Sequence, residues 1–446
     1  MRPNSPSRPA SRWLPLALAA FALTGLPGLA SAQSLQELYE AARGFDGTYL
    51  AAKALAQSAE YRAAQVEALA RPSAAVSAGV SANRSDPPKI AADTTQTASA
   101  SLNGRYPLFN RANGLTIEQA RKSLITAQAD LDSAEQDLVV RVAQAYFDVL
   151  AAQDALATTR ASKAATSEQL ASAKRNFEVG TATITDTREA QARFDLGTFQ
   201  ELAAENDLRS KSIALDTLVG RTGVQPKPLL VPVVLPAPQP ASAEEWVTTA
   251  DQQHPTVRRA RVGLEVAQLE TSKARAAELP TVDAVASVGG SDFRGSKYSS
   301  SGFTNTASVG VQLNWPLYTG GSTQNRIKET LALEDKARNE LEAARRGVGQ
   351  GTRVAYFGVQ SGLAQVRALE AAEASTKLAL EATQLGYKVG VRVNLDVLNA
   401  QSQLFTTQRD LAKARYDVVM GSLKLRQAAG QLAAPDVEAA NRLLAK

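Results

Sequence analysis

The sequence predicts a mainly α-helical protein with a small membrane β component, built from duplicated long coiled-coil helical hairpins and four β-strands per chain. Three observations carry that prediction. A unit of about two hundred residues occurs twice. Two stretches of more than sixty residues run without proline and place apolar side chains at heptad spacing. Four short segments alternate apolar and polar residues with period two.

The duplication is read from spacing. Ala145-Tyr146-Phe147 returns as Ala355-Tyr356-Phe357, Val179-Gly180 as Val389-Gly390 and Asp186 as Asp396, all at an offset of 210. Tyr106-Pro107-Leu108-Phe109 matches Trp315-Pro316-Leu317-Tyr318 at 209, and Pro72 matches Pro280 at 208. The expected organisation is a leader over 1–32, a first repeat over 33–221, a linker over 222–242, a second repeat over 243–432 and a tail over 433–446.

The leader carries Arg2, Arg8 and Arg12 without an acid, then an apolar run from Trp13 to Leu29 and Ala30-Ser31-Ala32. That is the pattern of a secretory signal cleaved before Gln33. The run is broken by Pro15, Gly25, Pro27 and Gly28, unlike a retained membrane helix. The chain has no cysteine, which excludes a disulfide framework and a lipid on cysteine. The leader holds three of the 49 basic residues and leaves the rest nearly balanced against 44 acids, so nucleic acid is not an expected partner.

Within each repeat a single helical segment is expected to lead into the strands. Val76, Ala78 and Val80 share one face opposite Ser77, Gly79 and Ser81, while Ala98, Ala100, Leu102 and Tyr106 oppose Ser99, Ser101, Asn103 and Arg105. In the second repeat Val282, Ala284, Ala286 and Val288 form one face, and Ala307, Val309, Val311, Leu313 and Trp315 another. The hairpins are expected over 73–106 and 281–315, with polar loops Asn83–Thr97 and Gly289–Thr306 facing outward. An exported chain, polar opposite faces, and Tyr106, Phe109, Trp315 and Tyr318 at the strand ends fit a membrane barrel with an aromatic belt. Four strands cannot close a barrel, and lipid does not tolerate an open edge, so the chain is expected to oligomerise.

The long helices come next, over 115–220 and 324–431. Leu124, Leu131, Leu138 and Ala145 are seven apart, as are Leu341, Val348 and Ala355 and the returning series Val397, Leu404, Leu411, Val418 and Leu425. From Leu115 to Phe177 such a helix would run about 95 Å. Gly180 and Gly390 are the residues that let each rod stop and turn back. Six prolines from Pro226 to Pro240 make the linker an extended spacer. The one histidine, His254, lies at a helix start opposite Asp46 in the repeat alignment and has no second histidine or cysteine to form a metal or catalytic set.

With these features in place the sequence resembles the TolC family of outer-membrane channel proteins over nearly all of the mature chain. The residues that carry the resemblance are the twin Tyr-Pro-Leu-Phe and Trp-Pro-Leu-Tyr segments, the twin Ala-Tyr-Phe, and the run from Tyr387 to Asp396 at the second turn. The resemblance implies a homotrimer whose strands close a 12-stranded barrel in outer-membrane lipid, continued by a periplasmic α-helical barrel. It further implies docking to a periplasmic adaptor and an inner-membrane transporter of ABC or RND type, with Val179, Gly180, Val389 and Gly390 at the docking tips. Asp396 matches a position whose carboxylates ring the periplasmic entrance and would retain cations. A second acid expected one turn later is Asn399 here, which weakens that effect. Tyr387 and Arg392 match positions that hold the entrance closed by bonding to the neighbouring helix pair, where the matching groups are Thr185 and Asp186.

Two other classes fit less well. A trimeric surface adhesin also joins a coiled coil to four strands per chain, but it gathers those strands at the C-terminus, whereas here the pairs stand about two hundred residues apart. An enzyme would need a nucleophile set, metal-ligand spacing or a glycine-rich phosphate loop, none of which is present, and no cofactor is expected.

Overall fold

A computed structural model describes residues 32–445 apart from 87, 89–92, 231 and 296–300. The expected leader therefore lies outside the described residues. In each repeat two short helices lead into a β-hairpin, and the hairpin leads into a long helical hairpin. The first repeat comprises α1 (Leu35–Phe45), α2 (Gly47–Glu67), β1 (Ser73–Ser85), β2 (Asp93–Phe109), α3 (Arg111–Glu178) and α4 (Ile184–Val219). The second comprises α5 (Ala243–Gln253), α6 (Pro255–Ala276), β3 (Thr281–Arg294), β4 (Gly302–Asn314), α7 (Ser322–Lys388) and α8 (Asn394–Ala428), followed by α9 (Ala434–Asn441).

The single segment expected before each hairpin is two helices because a capping residue interrupts it. Asp46 caps α2 by accepting from the Tyr49 N–H at 2.7 Å. At the matching place His254 caps α6, its Nδ1 accepting from the Thr256 N–H at 3.1 Å, with Pro255 at the first helical position. The sole histidine is thus a helix cap. At 68 and 67 residues, α3 and α7 are rods of about 100 Å. The returning helix α8 buries all of Val397, Leu404, Leu411, Val418 and Leu425, so the heptad series read from the sequence is its packed seam.

The two hairpins join into one antiparallel sheet of order β1-β2-β3-β4. Its register carries the apolar face across the strands: Val76 pairs with Leu102, Leu102 with Val288 and Val288 with Ala307. The opposite face is a polar ladder. Ser77 and Ser101 hydroxyls stand 2.8 Å apart, as do those of Ser287 and Ser308, and Arg105 reaches Asp283 at 2.6 Å. The strands are longer than expected and run through much of the segments read as loops, to Ser85 and from Asp93, and to Arg294 and from Gly302. Period-two alternation disappears there because polar residues dominate both faces, yet the backbone ladder persists and β-branched threonines suit it. Both outer strands, β1 and β4, are exposed along their whole length. Among the described residues no helix is long and apolar enough to cross a membrane.

At mid-height the helices meet the linker. The Tyr146 hydroxyl donates to the carbonyls of Gln33 at 3.2 Å and Lys227 at 2.9 Å, and its ring stands edge-on to Phe147. Gln33 N–H donates to the Gln225 carbonyl, Leu230 N–H to Leu443 and Ala445 N–H to Pro228. The matching Tyr356 hydroxyl donates to the Ala241 carbonyl. The twin Ala-Tyr-Phe motif therefore pins the linker to both rods, closing a waist over the largest core cluster, which includes Leu35, Leu138, Val142, Phe147, Leu215, Tyr416 and Leu423.

Candidate functional site at the paired helical turns

The two turns at the far ends of the rods share one backbone design. Gly180 has φ +80° and Gly390 φ +81°, in the left-handed region where a glycine is unstrained. Thr181 N–H then donates to the Asn176 carbonyl at 2.8 Å, and Val391 N–H to the Gly386 carbonyl at 2.9 Å, so the last carbonyls of α3 and α7 are capped identically. Val179, Gly180, Val389 and Gly390 are all exposed at these tips, together with Val391 and Val393.

Beyond the glycines the two turns diverge. In the first turn Thr183 and Asp186 close a reciprocal capping box: Thr183 Oγ1 accepts from Asp186 N–H at 3.2 Å, and Asp186 Oδ2 accepts from Thr183 N–H at 3.0 Å and from its hydroxyl at 2.7 Å. In the second turn Val393 stands at the place of Thr183 and has no hydroxyl to offer. The Asp396 carboxylate, released from that duty, lies 3.6 Å from Arg392 Nη1. Gly386 makes room for this arginine, since a Cβ at that position would stand 2.8 Å from Arg392 Cγ.

Inside one chain the expected tie from Arg392 to Asp186 is not made. The reason is local: Asp186 is held by its own cap and Arg392 by its own helix. Tyr387 is tied to the other hairpin, but through Asn176 Nδ2, which donates to its hydroxyl at 3.2 Å, and not through Thr185 or Asp186. Thr185 is exposed. Asn399 accepts from Arg193 Nη2 at 3.0 Å.

Four residues that joined no expectation from the sequence hold the two turns together. Gln169 donates to the buried Asn394 side chain, which in turn approaches the Asp186 carbonyl at 3.5 Å, while Asn176 and Arg193 supply the ties just described. Beneath them Leu170, Ala173, Ala190 and Leu398 form a small apolar cluster. The signal that could have found two of them is the contrast between repeats: Asn176 stands opposite Gly386, and Asn394 opposite Ile184, whereas Arg193 stands opposite Gln403 and gives no such contrast. The arrangement contains an acid, an arginine and amides on exposed turns, which suits electrostatic selection and reversible contacts. Among the described residues no group of three potential metal ligands is present.

Against known proteins, residues 38–221 and 246–431 match the family described as outer membrane efflux protein. The chain is 34% identical over 426 residues to the outer membrane protein TolC of Vibrio cholerae serotype O1, covering 95% of this chain and 96% of that protein. It is 32% identical over 347 residues to the alkaline protease secretion protein AprF of Pseudomonas aeruginosa, covering 76% and 71%. Among solved structures, the outer membrane protein VceC of Vibrio cholerae aligns with a TM-score of 0.75 at 19% identity, covering 89% of this chain and 96% of that one. These similarities lend the adhesin alternative no support.

Proposed function

The chain belongs to the outer membrane efflux protein family, the TolC family, and from that premise we propose that three copies close one continuous duct across the outer membrane and periplasm. As a member of that family it is a Gram-negative outer-membrane channel protein, from a family of ducts and not of enzymes. The observation that carries the trimer is the sheet: four strands with one apolar face, one polar face and two open edges. In lipid those edges must be paired, and the helical rods then continue the duct below the barrel. The exposed valine tips would meet a periplasmic adaptor, and through it an inner-membrane transporter of ABC or RND type. Cargo is set by that transporter, and the resemblance to AprF makes a secreted protein as suitable a cargo as a small molecule.

At the mouth, three Asp396 carboxylates would ring the lumen and favour cations. Asn399, neutral and held by Arg193, would leave that preference modest. Arg392 and Tyr387 would latch the mouth by reaching Asp186 and Thr185 of the adjacent protomer, since Arg392 does not reach Asp186 within its own chain. Planar-bilayer recordings test both roles. Asp396→Ala should reduce cation preference, and Arg392→Ser should raise single-channel conductance without changing trimer stability. Unchanged selectivity in the first would leave Asp396 as a helix-end residue, and unchanged conductance in the second would remove the latch.

A further inference from the structure

The two open edges carry enough information to state how they meet. The inference rests on the trimer reading, but it concerns which residue pairs with which. Repeat alignment maps β2 onto β4 at an offset of 209 without a gap, from Ala98 and Ala307 to Phe109 and Tyr318. It maps β1 onto β3 at 208, from Pro72 and Pro280 onward. The mapping can be checked inside the chain. Val76 pairs with Leu102 in the first hairpin, and their mapped positions, Ala284 and Val311, pair in the second. Ser73 with Arg105 likewise becomes Thr281 with Asn314.

The remaining observed junction is β2 with β3, where the first hairpin meets the second. Its counterpart is β4 with β1 of the next copy. We propose that this seam forms in the mapped register: Val309 opposite Ala82, Gly310 opposite Ser81, Val311 opposite Val80, Gln312 opposite Gly79 and Leu313 opposite Ala78 of the adjacent protomer. Two features agree with it. Every outward pair is apolar with apolar and every inward pair polar or glycine, whereas a shift by one residue would put Val311 against a serine or a glycine. The tight pair at the internal junction is Ser101 with Gly289, where a Cβ on the glycine would stand 2.8 Å from the Ala100 carbonyl and 2.9 Å from Ser101 Cβ. At the proposed seam the pair is Gly310 with Ser81, so the glycine has moved to the other strand and the close approach is kept.

The helices below repeat the logic. Phe147 of α3 and Leu423 of α8 are 1% and 2% exposed where the two hairpins of one chain meet. Their counterparts, Phe357 of α7 and Ile213 of α4, are 55% and 58% exposed. The same mapping that aligns the strands brings Phe357 of one copy beside Ile213 of the next, so the sheet register and the exposed helix faces call for one neighbour in one placement.

The chain contains no cysteine, so paired cysteines report the register directly. Residues directly opposite in an antiparallel pair have Cα atoms about 4.5 to 5.5 Å apart, within disulfide range, while the diagonal neighbours lie about 7 to 8 Å apart and outside it. Full-length protein in detergent carrying Ala78→Cys with Leu313→Cys, or Ser81→Cys with Gly310→Cys for the inward row, should oxidise to a covalent trimer on denaturing gels. Ala78→Cys with Val311→Cys, and Val80→Cys with Leu313→Cys, test registers shifted by two residues and should cross-link at least five-fold less. A shifted pair that cross-links better overturns the register. No cross-link in any pair, with light scattering still reporting a trimer, overturns the register alone and leaves the duct. A cysteine-free monomer with intact strand content overturns both.

Discussion

The two repeats share a sequence pattern and differ in burial. In the first, the Tyr146-Phe147 pair of α3 closes the core at mid-height, with the Phe147 ring 5.9 Å from that of Tyr416. In the second, Tyr356 is also buried but Phe357 stands open to solvent in the single chain. Both tyrosines pin linker carbonyls, so they face the same way. The phenylalanines differ because α3 is flanked by α8 of its own chain, whereas the corresponding side of α7 has no partner within the chain. A repeat protein reveals its subunit boundary wherever a residue is core in one copy and surface in the other.

A second contrast lies at the helix breaks. Asp46 accepts two bonds from Arg141, at 2.8 and 2.9 Å, and this guanidinium holds its carboxyl below the usual carboxylate range. At the matching places stand His254 and Gly351, so the ion pair is absent from the second repeat and a neutral imidazole does the capping. Burial pushes the His254 pKa down, which keeps Nδ1 available as an acceptor.

The contrast can be broken most strongly at the phenylalanines. Phe147→Ala should cost about 3 to 5 kcal/mol, as large-to-small changes in packed cores do, read as a lower denaturant midpoint in detergent. Phe357→Ala should leave the chain's own packing intact and instead weaken the trimer, so that it dissociates at a higher protein concentration, read by light scattering. Equal effects of the two on chain unfolding would dissolve the comparison.

Next in size is Asp46→Asn, which keeps a cap but loses the ion pair; a loss of about 2 kcal/mol is expected, with Arg141 partly solvated. Because the folded carboxyl titrates below its unfolded value, the Asp46 contribution is fully present above about pH 4 and is lost as pH falls through the depressed folded value. His254→Asn is a smaller change that sharpens the pH contrast. Wild-type His254 stabilises the folded chain fully above its ordinary pKa of about 6.5, and that stabilisation declines as pH falls from there toward the lower folded value. Asparagine caps as well without titrating, so the variant should be nearly neutral at about pH 7.5 and should lose less stability than wild type between about pH 7 and 5. Smallest of all for stability is Tyr387→Phe, which removes the acceptor for Asn176 at the tip; about 0.5 to 1.5 kcal/mol is expected, read as faster amide exchange around the two turns.

The heptads, the strand faces and the turn glycines were legible in the sequence because each is a local period or a single-residue conformational demand. Strand extent was not, since in the first hairpin past Ala82 and ahead of Ala98 the side chains on both faces are polar and pairing is fixed by the backbone. The mouth was half legible. Asp396 and Arg392 were visible as charged residues after a glycine turn, but their pairing with each other depends on Val393 lacking the hydroxyl that occupies Asp186 in the first repeat. Asn176, Gln169, Arg193 and Asn394 were silent because a polar residue on a long helix is ordinarily solvated, and only the crossing of two rods makes it a tie.

The waist has a consequence for when the protein can be completed. Its backbone bonds join Gln33 to Gln225, and Leu230 and Pro228 to Leu443 and Ala445, so three stretches far apart in synthesis order must coincide. The contacts within each helical hairpin are local in the chain, but this belt stays unfastened until residues 443–445 are in place. A chain lacking those residues would leave the girdle open and expose the core near Val224, Leu229 and Val437 to proteases at one defined height. The belt thereby acts as a length check that a chain must pass before its rods are held rigidly together.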